Sequence, residues 1–467
     1  MKKALFLSLA SLFVRSFRMF VGYLKRGTPY EHDAKQDYIY NFDNTAAEIR
    51  NLLIEDCKIN IDGINKTHRT CFIELRIHAS LAGRFFLPSI VVTSSGLQYF
   101  QYFEKGASGL RYLNISSFFA TLSSGELQLD MQFRHLCLQS PTARLLFFDT
   151  MDVKHSKVMV VAPHPDDAEI AAYGIYKDSN AYIVTVTAGD GGDMKYKELY
   201  DNAKDHFLKK GKLRVWDSLY VPALAGIGPE RAVNLGYFDN TLSTMYQKRP
   251  NPVPATYSEE TNVHVFREMN TSPLLKTREM ENAWPNLVND FKALIEQINP
   301  DVIATPSPAL DSHDDHLYTS LALFEALRQL QRKNGKIFLY SNHNSTCEHY
   351  PFGAQGTIMS LPPNFDAQLF FRSVYSHHLS ISDQKDKFFS IETMHDLRYN
   401  LKWSFISWAL NKSYRQLKEV ILDRDFSYFR RGIRSNELFF VINTDDVLND
   451  ATLQKLFTYN GRNLIDL

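Results

Sequence analysis

The hydrophobic pattern of this chain changes its period near Lys154, and that change restricts the fold more than any other feature. Before it, apolar residues alternate: Cys71, Ile73, Leu75 and Ile77 are interleaved with Phe72, Glu74, Arg76 and His78, and Leu127, Leu129, Met131 and Phe133 alternate with polar residues. A period of two sends one set to a buried face and the other toward solvent, as in antiparallel strands with one wet side. Such short strands, parted by Gly, Ser and Asn turns, predict an antiparallel β-sandwich over 45–150. Beyond Lys154 the run Val158–Ala162 is unbroken, as in a strand buried on both faces. A second strand follows at Tyr182–Thr187, then a helix-to-strand unit from Ala283 through Ile298 to Asp301–Thr305, then a strand at Lys336–Tyr340. Strands alternating with helices predict an α/β domain over 154–400, built on a doubly wound, mostly parallel sheet. Residues 401–467, which include the apolar Leu438–Ile442, read as a C-terminal extension.

A length of 467 residues exceeds what one hydrophobic core usually organises, which agrees with two domains. Lys plus Arg and Asp plus Glu both total 52, so no global charge draws the chain to nucleic acid, and none is expected as a partner. The cysteines Cys57, Cys71, Cys137 and Cys347 show neither CxxC spacing nor a pairing pattern, which argues against a disulfide framework or a thiolate metal site and fits a reducing, cytoplasmic compartment. The aromatic stretch Leu97–Phe103 fits a carbohydrate-binding module in the β region, but core packing explains it better.

Residues 1–26 begin like a secretion signal, with two lysines and the apolar run Ala4–Val14. Arg15 and Arg18 then stand where a small-residue cleavage site belongs, and the run falls short of the roughly 20 apolar residues that span a bilayer. On a helix Ser8, Ser11, Arg15, Arg18, Gly22 and Lys25 form one polar stripe, with Leu5, Leu9, Leu12, Phe13, Phe17, Phe20 and Leu24 over the rest. Three readings stay open: a peripheral helix at the inner membrane face, a helix docked on protein, and an unusual secretion signal.

Two clusters carry chemistry. Directly after the strand Val158–Ala162 comes Pro163-His164-Pro165-Asp166-Asp167, an imidazole and two carboxylates in a strand-to-helix turn. After the strand Asp301–Thr305 comes Asp311-Ser312-His313-Asp314-Asp315-His316, leading into the helical run Leu317–Leu330. Both lie at carboxyl ends of strands, where open α/β sheets bind ligands. Two imidazoles and one carboxylate suit Zn²⁺ and leave a position for water, as in a catalytic site.

These motifs resemble the PIG-L/LmbE-like deacetylases, marked by an HPDD turn and a later HxDH cluster, over roughly Lys154–Arg398. The resemblance implies that His164, Asp167 and His316 bind zinc, that Asp166 is the general base and that protonated His313 stabilises the oxyanion or protonates the departing amine. Asp315 would hold an imidazole ligand from behind. Thr187-Ala188-Gly189-Asp190-Gly191-Gly192 matches the family's Gly-rich loop. Arg214-Val215-Trp216-Asp217 resembles its RxxE element with Asp for Glu, and Leu235-Gly236-Tyr237-Phe238-Asp239 its LGxxD turn. That match would put Arg214 and Asp239 against substrate hydroxyls. Three departures stand beside it: Pro163 for alanine, Tyr173-Gly174 for a glycine pair, and Asp311 near a position where some members carry an aromatic residue.

The expected activity is hydrolysis of the acetamide of an N-acetylglucosamine-type sugar in a glycan or glycolipid precursor. Two alternatives remain: hydrolysis of another acyl amide or an ester by the same site, and a glycan-binding or scaffold protein whose zinc site is vestigial.

Overall fold

The computed structural model describes residues 30–64, 68–120, 122, 125–196, 199–200, 202–275, 280–397 and 431–465. The expected N-terminal helix and residues 401–430 lie outside the described residues. Among those described, no helix is long and apolar enough to cross a membrane. The chain forms two compact units: Met1–Thr150 with Asn344–Gly353 and Thr357–Gln368, and Met151–His343 with Ala354–Gly356 and Leu369–Leu467.

The first unit contains two antiparallel sheets. One runs β1 (Glu48–Leu53), β9 (Thr142–Asp149), β3 (His68–Ala79), β6 (Ser108–Asn114), with β8 (Leu136–Leu138) also on β3. The other runs β2 (Lys58–Ile61), β7 (Leu127–Arg134), β4 (Ser89–Ser94), β5 (Leu97–Tyr102). The alternating residues explain why both sheets hold: Ile73, Leu75 and Ile77 meet Ile90, Val92, Leu129 and Met131 in one apolar core. Phe103 belongs to that core, and Leu97 and Tyr99 pack against it, so burial accounts for much of the aromatic stretch. Phe72 departs from strict alternation; it is buried too, against the ring of Phe148 at 6.4 Å. The segment from Thr357 is tied in by hydrogen bonds, among them Ile358 N to Phe100 O at 2.8 Å and the Ser360 hydroxyl to Tyr112 O at 2.7 Å.

The second unit is mixed α/β. Its larger sheet has seven strands: β10 (Lys157–Ala162), β11 (Asn180–Thr187), β12 (Ala232–Tyr237), β13 (Val302–Pro306), β14 (Lys336–Tyr340), β15 (Ser373–His378) and β16 (Asn436–Asn443). The order is β12-β11-β10-β13-β14-β16-β15. β10 to β14 are joined by parallel pairs, and β16 runs antiparallel to both β14 and β15. β16 thus places part of the expected C-terminal extension inside this sheet. The strands connect through helices α1 (Asp167–Asp178), α2 (Ala203–Tyr220), α3 (Trp284–Ile298), α4 (Asp314–Gln329) and α5 (Ile381–Thr393). In α3, Leu287, Val288, Phe291, Leu294, Ile295 and Ile298 are all buried at three- and four-residue spacings; Pro285 opens the helix and left-handed Asn299 ends it.

From β10 the chain builds outward to β12, then crosses to build β13 and β14 on the other side. Loops leaving the carboxyl ends of β10 and β13 therefore diverge, and the crevice they leave is where such a sheet takes ligands. A second device aims a residue at that crevice. The β11–β12 register slips between Thr185 and Thr187, and Gly236 takes a φ of +76° there, turning the chain toward Asp239. A Cβ at Gly236 would stand 2.9 Å from Val263 O. Gly236→Ala is expected to destabilise this unit by about 1–3 kcal/mol, read as a lowered denaturation midpoint.

Candidate active site

β10 ends at Ala162, and the next four residues turn into α1. The turn is closed by its own side chain, since His164 N donates to Asp167 Oδ2 at 2.9 Å. Asp166 sits at φ +132°, outside the ordinary regions for an L residue, a cost typical of functional turns. β13 leads to the second loop, which enters α4 with His313 as its cap: Asp315 N donates to His313 Nδ1 at 3.2 Å. That bond needs a lone pair on Nδ1, so a neutral His313 carries its proton on Nε2.

The two loops meet. His164 Nδ1, Asp167 Oδ2 and His316 Nε2 form a nearly equilateral triangle, with edges of 3.2 Å, 3.2 Å and 3.3 Å. All three residues are buried. A tetrahedral ion with bonds of about 2.0–2.1 Å requires ligand edges of roughly 3.3 Å, so these donors fit zinc in spacing as well as in type. A His/Asp cluster able to hold a metal ion is therefore present.

Each imidazole is also held from behind. His164 Nε2 lies 3.0 Å from Asp239 Oδ1 and 3.3 Å from Asp315 Oδ2. His316 Nδ1 lies 3.1 Å from Asp311 Oδ2, off the line of a hydrogen bond. The backing carboxylates are themselves fixed by main-chain donors: Asn240 N to Asp315 at 2.7 Å, Gly191 N to Asp239 Oδ2 at 3.1 Å, Asn342 N to Asp311 at 2.9 Å. Carboxylates behind imidazoles fix the ring and its tautomer and raise its basicity toward a metal.

The charges agree with a cation site. Burial disfavours charge on His164, yet Asp239, Asp167 and Asp315 outweigh it and hold its pKa well above the ordinary imidazole range. Burial likewise opposes charge on His316, but Asp167 and Asp311 push it up to about 10. Burial would raise Asp167 and Asp311, and the facing imidazoles bring both below the ordinary carboxylate range instead. These buried acids hold positive charge strongly, as protons or as a metal ion.

Asp166 stands beside the triangle. Its Oδ2 meets Arg214 Nη2 at 3.2 Å, and burial pushes its carboxyl up to about 7 against the pull of that guanidinium. Arg214 also donates to Pro165 O at 2.8 Å and Gly189 O at 3.1 Å, so the Gly-rich loop helps to anchor it. Arg214 and Asp239, expected against substrate hydroxyls, thus meet Asp166 and His164 respectively. Asp217 closes on another partner, His395, with Oδ1 to Nδ1 at 2.6 Å. Asp315, expected to hold an imidazole ligand, lies 3.3 Å from His164 Nε2.

His313 is half-buried, with its ring centroid 4.8 Å from that of His164 and 4.9 Å from that of His316. Burial, then the charges of His164 and His316, lower its pKa, which favours the neutral Nε2–H form over the protonated one expected. Two residues escaped sequence reasoning. His343 offers a ring nitrogen near Asp167 and His316, and Asn342 Nδ2 donates to Asp167 Oδ1 at 2.8 Å. Both follow β14, so their place after a third strand end was the available signal. Asp311 was noted only as a departure; behind His316, Asp311→Asn is expected to weaken metal binding about 10–100-fold, measured by competition with a chromogenic chelator.

One comparison with known proteins falls on the same stretch. The family model PIG-L, described as GlcNAc-PI de-N-acetylase, matches residues 159–327, from β10 through both loops into α4. The chain carries a PIG-L domain. No curated protein matches the chain. Among solved structures, GalB, the 4-carboxy-2-hydroxymuconate hydratase from Pseudomonas putida KT2440, is 11% identical, covering 62% of this chain and 95% of its own, with a TM-score of 0.32. A family two carbohydrate esterase from Cellvibrio japonicus is 11% identical, covering 63% and 89%, with a TM-score of 0.15. Overlaps this slight carry no argument about fold or chemistry. The PIG-L match over 159–327 points to a deacetylase-type hydrolase, and the His/Asp cluster there agrees with the metal dependence typical of that family.

Proposed function

We propose that the PIG-L domain is a zinc-dependent N-deacetylase that hydrolyses the acetamide of an N-acetylglucosamine-type sugar in a glycan or glycolipid precursor. The observation that carries the reading is the donor triangle of His164, Asp167 and His316, whose 3.2–3.3 Å edges match tetrahedral zinc and leave one position for solvent or substrate. When bound, the ion would supply Lewis acidity and make a water molecule acidic enough to lose a proton near neutral pH.

The remaining steps fall to this chain's own side chains. Asp166 takes the proton from the attacking water, and Arg214 keeps its carboxylate aimed. The water oxygen bonds to the acetyl carbonyl carbon, and His313 donates from Nε2 toward the oxygen that gains charge. The C–N bond then breaks, the amine leaves with the proton returned by Asp166, and the acetic acid formed yields its own proton to the amine or to solvent, leaving acetate. Asp239, Asp311 and Asp315 act on the imidazoles rather than on substrate, so they are positioning residues.

Incubating the Zn²⁺-loaded full chain with N-acetylglucosamine-containing glycans and glycolipids, and measuring acetate together with free amine, tests the proposal. Release of both in equal amounts supports it. Turnover confined to other acyl amides or esters would move the substrate class, and glycan binding without any release from loaded wild-type protein would favour a scaffold with a vestigial site.

A further inference from the structure

The loop between β3 and β4 presents three large apolar side chains to solvent: Leu81 at 73%, Phe85 at 64% and Phe86 at 50% exposure. The loop is firmly built. Residues Ala82–Arg84 form a tight turn, in which Phe85 N and Phe86 N both donate to Ala82 O, at 3.0 and 2.9 Å. Ser80 N donates to His135 O at 2.9 Å, and Gly106 N donates to Gly83 O at 2.8 Å, so the neighbouring loops brace it on two sides. A Cβ on Gly83 would stand 2.2 Å from His135 O, which leaves no room for another residue at the brace. The apolar groups are therefore held outward by a fixed backbone.

The braced loops also carry basic side chains. Arg84 is exposed at the tip, Lys105 belongs to one bracing loop, and exposed Arg134 and His135 belong to the other, with the His135 ring 5.7 Å from Phe86. The one acid in residues 80–88, 103–107 and 134–136 is Glu104, which is buried and bonded to Arg111 Nε at 3.0 Å. These three stretches thus combine protruding aliphatic and aromatic groups with basic side chains, and they hold no exposed acid. Three exposed side chains on one loop cannot supply the roughly 800 Å² per partner of a standard protein interface, whereas a bilayer boundary accepts so small an apolar group.

We propose that this tip docks the first unit on anionic membrane: Leu81, Phe85 and Phe86 enter the acyl boundary, and Arg84, Lys105 and Arg134 meet lipid headgroups. The test uses the full chain with vesicles of phosphatidylcholine, with or without about 30 mol% phosphatidylglycerol. Wild-type protein is expected to sediment with the anionic vesicles. The triple variant Leu81→Ser, Phe85→Ser, Phe86→Ser should lose affinity on the order of tenfold or more, with its melting temperature and hydrolytic activity unchanged. Because another segment could also hold the chain to vesicles, a Phe85→Trp chain serves as a local probe, and brominated lipids should quench the fluorescence it adds. Absence of wild-type binding, unchanged affinity in the triple variant, or no added quenching overturns the proposal. So does a triple variant that changes only self-association, which would assign the tip to a second copy of the chain.

Discussion

Asp166→Asn is expected to lower kcat on an N-acetylated amino sugar by about 10³-fold while bound metal stays at the wild-type level. The substitution keeps the shape and an oxygen for Arg214 Nη2, which lies 3.2 Å from Asp166 Oδ2, but removes the ability to take a proton. Asn also tolerates positive φ about as well as Asp, so the +132° backbone at this position should survive. The neighbouring carboxylate gives the contrast. Asp167 supplies Oδ2 to the triangle, 3.2 Å from both His164 Nδ1 and His316 Nε2, and Asp167→Asn should lower metal content and activity together. Elemental analysis beside steady-state kinetics separates the two. An Asp166→Asn enzyme retaining more than about a tenth of wild-type kcat would remove this residue from the base's role.

How far the sequence reached depends on the distance over which each feature is decided. Strand character is local: the alternation of Cys71, Ile73, Leu75 and Ile77, and the unbroken run into Ala162, follow from which faces are buried. Loops after strand ends are nearly as local, which made His164, Asp167, His313 and His316 legible as candidates before their side chains could be placed. Pairing across the chain was not legible. Leu438–Ile442 reads as apolar, but nothing in it specifies a place between β14 and β15, and residues 344–353 and 357–368 carry no sign that they join the first unit. The backing contacts are hidden for the same reason. Asp239 and Asp315 reach one imidazole nitrogen from loops 76 residues apart in sequence, and Asp311 finds His316 only because α4 turns its third residue back. His343 belongs to no motif and becomes visible as a donor only once β14 lies beside β13.

Removing the metal should abolish turnover and lower the melting temperature, and both effects should reverse when Zn²⁺ is restored. The argument starts from the buried charges: Asp167, Asp239, Asp311 and Asp315 crowd two imidazoles, all shielded from water. Such a group is costly to bury unless positive charge is placed among its members. Without the ion, protons on His164 and His316 partly serve, since the surrounding acids hold both imidazoles above their ordinary pKa. The unit should therefore stay folded after chelation, but with less stability. Free ion at a thousand times its dissociation constant stabilises a binding protein by about 4 kcal/mol, which corresponds to roughly 10 °C for a unit of this size. Scanning fluorimetry on chelator-treated, reloaded and His316→Ala protein measures this directly, and the His316→Ala chain should show no gain from added Zn²⁺. If chelated protein were free of metal yet kept its wild-type melting temperature and activity, the triangle would be a proton-held structural cluster and the hydrolytic reading would fall with it.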